Sequence, residues 1–205
     1  KAAATLGHGS RVVSFADAAQ PSDIVIVAIP WTNALDVLKS LPALDGKIII
    51  DATNPLNADW SPLLLGQEIS AGEEIQRALP RCRVVKAFNT IFADMMTPER
   101  IAFYSSDDPA AKSSVWELLS AIGLHPEDAG ALSSARWLEG MAHLNIRIAV
   151  TLGVQSQRVM VRGARMCHHQ KPYGTTTTQL LHNFYTTALA RRRRFVGRSN
   201  IVKRA

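Results

Sequence analysis

"KIIIDATNPL", Lys47 to Leu56, is the stretch that decides the fold. Three consecutive isoleucines put apolar side chains on both faces of a strand, which suits a parallel sheet covered on both sides. The run then breaks into Asp51, Thr53, Asn54 and Pro55, small polar and turn-forming residues placed where the chain must leave the sheet. "RVVKAFNTI", Arg83 to Ile91, has the same plan and ends in Phe88, Asn89 and Thr90. Two strands that each deliver small polar groups at the carboxyl end predict one shared ligand at one rim, where open α/β sheets hold theirs.

Outward from these two strands the chain alternates. "DIVIVAIP" (23–30) reads as a central parallel strand and "RVVSF" (11–15) as a short one before it. "TNALDVLKSL" (32–41) sets Leu35, Leu38 and Leu41 on one helical face, with Thr32 or Asn33 as its cap. "GEEIQRALP" (72–80) reads as the end of a helix stopped by Pro80. "IAFYSS" (101–106) and "LHPEDAG" (124–130) read as strands. Between them "DPAAKSSVWELLSAIG" (108–123) is a helix capped by Asp108, with Pro109 in its first turn and Gly123 at its end. "SSARWLEGMAHLNIRIAV" (133–150) is a further helix. Strands alternating with helices predict an α/β fold with an open, mainly parallel sheet.

The composition agrees: of 205 residues 47% are apolar and 20% charged, enough for a sizeable core. Apolar runs such as "IVIVAIPW" fall far short of the ~20 residues a membrane helix needs, so no membrane span is expected. Cys82 and Cys167 lie apart without metal-type spacing and read as free thiols in a reducing compartment. The net charge of +6 hides an asymmetry. Residues 1–152 hold 12 Lys+Arg against all 17 Asp+Glu, a net of −5, and residues 153–205 hold the other 11 Lys+Arg and no acid. A boundary is therefore expected near residue 152, with a folded part before it and an irregular basic tail after it. "ARRRRFVGR" in that tail is either an unrelated or frame-altered end, or a patch for polyanions such as phosphate backbones or anionic lipid.

"VAIPW", "IIIDATNPL" and "VVKAFNT", in that order and spacing, resemble the family of NADP-dependent reductases that includes NADPH:deazaflavin (coenzyme F-420) oxidoreductase. The same domain type forms the cytosolic part of the STEAP metalloreductases. "DAGALSSARWLEGMAHLNI" is similar to that family as well, and the resemblance covers roughly residues 1–150. It implies a Rossmann-type domain over residues 1–152 and a cytoplasmic reductase that binds NADP, in which a hydride passes between NADPH and a deazaflavin or flavin-like acceptor. Carried over position by position, the cofactor-binding residues are Ala28, Ile29, Pro30 and Trp31, then Thr53, Asn54 and Pro55, then Lys86, Ala87, Phe88 and Asn89. Asn54 and Asn89 offer donors and acceptors to a carboxamide or a flat redox partner, and Phe88 a ring face. The resemblance also implies a homodimer. Hydride transfer between two bound cofactors needs proximity and orientation above all, so no catalytic side chain is assigned.

The family's glycine-rich turn after the first strand is absent from residues 1–205, and "LGHG" (6–9) does not replace it. The expectation is that Lys1 lies just past the second strand of a longer protein, about one β-α-β unit of 35–40 residues in. Such a chain has an unpaired edge beside "DIVIVAIP" and impaired NADP binding. A non-catalytic nucleotide-binding module, and a binder working through the basic tail, are the alternatives to an enzyme.

Several residues admit two readings. Asp51 is either a general base or a turn residue bonding nearby amides. Trp31 either covers the cofactor or packs over the following helix. His125 and His143, with no evident partners, read as surface or helix-packing residues. "CHHQ" (167–170) gives no metal site, since adjacent histidines diverge and no second cluster exists.

Overall fold

The computed structural model describes residues 10–63, 68–151 and 199–202. Within them the chain forms α1 (Phe15–Ala19), β1 (Ile24–Val27), α2 (Trp31–Ser40), β2 (Ile48–Asp51), α3 (Ala71–Ala78) and β3 (Arg83–Ala87). There follow β4 (Ile101–Ser105), α4 (Pro109–Ala121), β5 (His125–Asp128), α5 (Ala135–Thr151) and β6 (Ser199–Val202). The sheet order is β5-β4-β3-β2-β1-β6. β6, β1, β2 and β3 run parallel, β4 is antiparallel to β3, and β5 runs parallel to β4. This is the mainly parallel α/β sheet that the strand–helix alternation predicts.

The isoleucine run divides between the two faces by simple strand alternation. Ile48 and Ile50 pack with Val85 and with Val115 and Leu119 of α4 on one side. Ile49 packs with Val25, Val84, Leu38 of α2 and Ile75 of α3 on the other. Full burial of each such side chain is worth about 1.5–3 kcal/mol, so covering both faces is what holds the sheet.

The helices start where the sequence provides caps. The Ser70 hydroxyl accepts from the Glu73 amide and the Glu73 carboxylate accepts from the Ser70 amide, a reciprocal cap that opens α3. "GEEIQRALP" is thus nearly a whole short helix and not only its end. Asp108 Oδ1 accepts from the Ala111 amide at 2.7 Å and Pro109 occupies the first turn of α4, as expected. Gly123, at φ +87°, turns the chain out of that helix.

Three local expectations are corrected. "RVVSF" forms no strand: residues 11–14 are irregular, Phe15 starts α1, and Val12 is 67% exposed. A strand needs a neighbour for its backbone, and among the described residues none pairs with this segment. Thr32 and Asn33 lie inside α2, which starts at Trp31 with Pro30 at the cap position, and proline has no side-chain acceptor to offer. In the basic tail, expected to lack strand structure, Ser199–Val202 pairs in parallel with β1, Ile24 opposite Ser199 and Val27 opposite Val202. An open strand edge asks only for backbone donors and acceptors, so weak side-chain periodicity does not forbid such pairing. The "LGHG", "CHHQ" and "ARRRRFVGR" segments and Cys167 lie outside the described residues.

Candidate functional site

The register brings three strand ends to one level. Val27 of β1 stands opposite Asp51 of β2, and Asp51 opposite Lys86 of β3. The segments Ala28–Trp31, Thr53–Pro55 and Phe88–Asn89 therefore leave the sheet side by side, at its carboxyl edge. Ala28 and Pro30 are exposed, Ile29 and Asn54 half-buried, and Trp31, Thr53, Pro55, Ala87, Phe88 and Asn89 buried.

Two asparagines tie β2 to β3. Asn54 Nδ2 donates to the Asn89 carbonyl at 3.0 Å, and Asn89 Nδ2 donates to Asn54 Oδ1 at 3.0 Å and to the Leu138 carbonyl of α5 at 3.1 Å. Both hydrogens of the Asn89 amide are used, which fixes its orientation. Phe88 sits at φ +68°, a left-handed backbone that costs a residue with a Cβ roughly 1–2 kcal/mol. The Ile91 amide, donating to the Phe88 carbonyl at 3.1 Å, closes that turn. Strain of this kind persists where the surroundings over-determine it, and binding rims are where it collects.

Beneath the rim lies a buried charge cluster. Lys86 Nζ is 2.8 Å from Asp51 Oδ2, 2.7 Å from the Thr53 carbonyl oxygen and 2.7 Å from Glu139 Oε1 of α5. The side chains of Lys86, Asp51 and Glu139 are fully buried. Asp51 Oδ1 accepts from the Thr53 amide at 2.9 Å, and Glu139 Oε2 accepts from the Ala71 amide at the start of α3 at 3.1 Å. Burial pushes the Glu139 carboxyl above the ordinary carboxylate range, against the pull of the Lys86 ammonium. One turn along α5, His143 is held below the ordinary imidazole value by burial and by the same ammonium. At the outer end of α3, burial would raise Glu73, but hydrogen bonds from Arg136 and Ser70 outweigh it and hold the carboxyl low.

The family model for NADP oxidoreductases, coenzyme F420-dependent, matches residues 1–55. A crystal structure from Arthrobacter sp. FB24, provisionally described as an F420-dependent NADP-reductase, superposes with a TM-score of 0.64 at 32% identity, over 70% of this chain and 71% of that one. The chain belongs to the coenzyme F420-dependent NADP oxidoreductase family. Further similarity is found to the F420-dependent NADP reductase of Methanocaldococcus jannaschii, 29% identical over 65% of this chain and 65% of that protein. Metalloreductase STEAP3 of Rattus norvegicus is 31% identical over 61% of this chain but only 26% of its own length. The chain thus spans about a quarter of the one curated relative and under two thirds of the other.

The sheet edge of β1, β2 and β3 brings all eleven positions named from the sequence into one neighbourhood of this chain, but not into one role. The Lys86 side chain lies below the rim, spent on Asp51, Thr53 and Glu139. Trp31 is buried among core residues that include Ala34 and Leu38. Asp51 closes its own turn and pairs with Lys86. His125 is exposed, 3.8 Å from Glu99. His143 is half-buried against the lysine. Leu138 and Glu139 went unnoticed in the sequence. The signal was present: Glu139 interrupts the apolar stripe of Ala135, Leu138, Ala142 and Ile146, and Lys86 interrupts "VVKAF". A buried charge of each sign asks for the other. Among the described residues no group of three or more His, Cys, Asp and Glu is placed to hold a metal ion, and no helix is long and apolar enough to cross a membrane.

Proposed function

We propose that the chain forms the nicotinamide side of an NADPH-dependent reductase that passes a hydride to a deazaflavin or flavin-like acceptor. The observation that carries this reading is the alignment of Ala28–Trp31, Thr53–Pro55 and Phe88–Asn89 on three adjacent parallel strand ends, in a chain of an NADP oxidoreductase family. The exposed backbone at Ala28 and Pro30 suits the ribose and phosphate side. Asn54, half-buried, keeps an amide hydrogen and a lone pair beyond those bound to Asn89, and these suit a carboxamide. Phe88, Pro55 and Thr53 give that end a rigid wall. NADPH supplies the hydride when bound. The residues of this chain orient the ring and keep water from it, and no acid or base is required of them. The glycine-rich pyrophosphate turn does not occur in residues 1–205, so the fit concerns the nicotinamide half of the cofactor.

The reading includes a homodimer, a cytoplasmic setting that the free buried Cys82 thiol suits, and contact of the basic segment 153–205 with polyanions. NADPH binding is tested by fluorescence titration, and turnover by loss of NADPH absorbance with coenzyme F420, FMN or a ferric chelate with FMN as acceptor. NADPH binding with turnover on one flat acceptor supports it. Binding without turnover on any acceptor favours a non-catalytic nucleotide module, and no binding at all sinks both.

A further inference from the structure

Lys86 has three donor hydrogens and three oxygens within 2.8 Å, one each from Asp51, the Thr53 main chain and Glu139. The contacts with Asp51 and the Thr53 carbonyl are hydrogen bonds, and the one with Glu139 Oε1 is an ion pair without hydrogen-bond geometry. Of its partners, Asp51 is the nearer in sequence and balances its charge. Glu139 is then a surplus buried negative charge, and burial already favours its neutral form. A surplus buried charge lowers stability, so its presence asks for a reason other than stability.

The geometry supplies one. Lys86 holds the Thr53 carbonyl, and Thr53 precedes Asn54, whose amide is paired with Asn89. Glu139 pulls the same ammonium from the α5 side, while its other oxygen takes the Ala71 amide of α3. The residue before it, Leu138, accepts the second Asn89 hydrogen. Adjacent residues of α5 thus hold both rim segments, one through Lys86 and one directly.

We propose that Glu139 is a positioning residue for the rim: acting through Lys86, it sets the Thr53 carbonyl and hence the orientation of the Asn54–Asn89 pair that faces the nicotinamide. This rests on the reductase reading for its use, but its geometry can be tested without turnover. A merely structural glutamate predicts that stability and rim geometry fall together. A positioning glutamate predicts that they part: Glu139→Gln, whose NH2 must face the Lys86 ammonium or the Ala71 amide, shifts the rim whatever it costs in melting temperature, whereas Glu73→Gln, a cap loss at the start of α3 that does not touch Lys86, lowers the melting temperature and leaves the rim in place.

The experiment records the side-chain amide signals of Asn54 and Asn89 by 15N–1H NMR in the full chain. It compares the wild type, Glu139→Gln, Lys86→Gln, the double variant and Glu73→Gln, with thermal melts and NADPH titrations alongside. The expected result is shifted Asn54 and Asn89 signals in Glu139→Gln and wild-type signals in Glu73→Gln, even where both variants melt lower than the wild type. In the double variant the two effects should fail to add, because one acts through the other. If the wild type binds NADPH, its affinity should fall by about tenfold or more, the scale of a small misplacement. Unmoved asparagine signals in Glu139→Gln, signals that move as far in Glu73→Gln, or additive effects would each overturn the proposal. Should Lys86→Gln fail to fold, Glu139→Asp replaces it: the shorter side chain should shift the asparagine signals too, and wild-type-like signals would overturn the proposal. A wild type that does not bind NADPH defeats the functional reading alone, since the asparagine signals still decide the positioning role.

Discussion

Lys86 and Asp51 stand directly opposite one another on β3 and β2 and meet at 2.8 Å with neither side chain exposed. Removing one partner of a buried pair strands the other charge, a cost of ~3–5 kcal/mol. Here Lys86→Met strands two carboxylates and frees the Thr53 carbonyl as well. We expect the midpoint of urea denaturation to drop sharply, by a large share of the ~5–15 kcal/mol that holds an ordinary domain. A midpoint within error of the wild type would show that the cluster is hydrated and not buried.

Glu73 joins two helices. It completes the cap of α3 through Ser70 and takes two bonds from the Arg136 guanidinium, at 2.8 and 2.6 Å. Its carboxyl is held below the ordinary 4.5, so the folded state binds this proton less readily than the unfolded one. Its contribution is present above about pH 4.5 and is lost as the pH falls through the lowered value. Glu73→Gln should therefore cost stability at pH 7, by about 1 kcal/mol as cap losses go. The gap to the wild type should close on acidification, as urea melts at pH 7 and pH 3 will tell.

How much of this was legible follows from which interactions are local. The strand at Ile48–Ile50 could be read because three isoleucines in a row have no comfortable place except between two layers of helix. The α4 ends could be read because Asp108, Pro109 and Gly123 act within a few residues. "RVVSF" was misread, since its composition suits a strand but a strand also needs a neighbour, and pairing is not written in five residues. β6 was missed for the converse reason: Ser199–Val202 pairs with β1 across a span of chain that no local pattern reports. The rim segments could be read because each is a short motif at a strand end. Their support could not, because Glu139 lies 53 positions after Lys86 in the chain and comes within 2.7 Å of it only through the whole fold. What the sequence did contain was a charge in an apolar strand and an opposite charge in an apolar helix stripe.

Asn89 is the hinge between β3, β2 and α5. Asn89→Ala removes the donors used by Asn54 Oδ1 and the Leu138 carbonyl, and unpaired buried acceptors cost about 1–3 kcal/mol. Asn89→Asp keeps the shape but turns an acceptor-only group toward those same two acceptors. We expect the aspartate variant to be the less stable of the two at pH 7, despite being the closer isostere. The opposite ranking in urea denaturation would mean that the Asn54–Asn89–Leu138 bonds do not hold the rim.

Glu139 and His143 lie one turn apart on α5 and should tilt the pH dependence of stability in opposite directions. Burial lowers the His143 value below 6.5, so the unfolded state binds this proton more readily than the folded one. Stability is then lost as the pH falls from about 6.5 toward the lowered value, and His143→Leu should remove that loss. Burial raises Glu139 above 4.5, so the folded state takes its proton first. Stability is gained as the pH falls through the raised value toward 4.5, and Glu139→Gln, already neutral, should remove that gain. The two effects partly cancel in the wild type, so its own profile is a poor witness. Each variant's difference from the wild type, followed by urea melts between pH 8 and pH 4.5, separates them. On acidification the His143→Leu chain should gain on the wild type and the Glu139→Gln chain should lose ground to it. Parallel profiles for all three would mean that neither side chain is shielded from water, and the charge cluster under the rim would have to be redrawn as a solvated one.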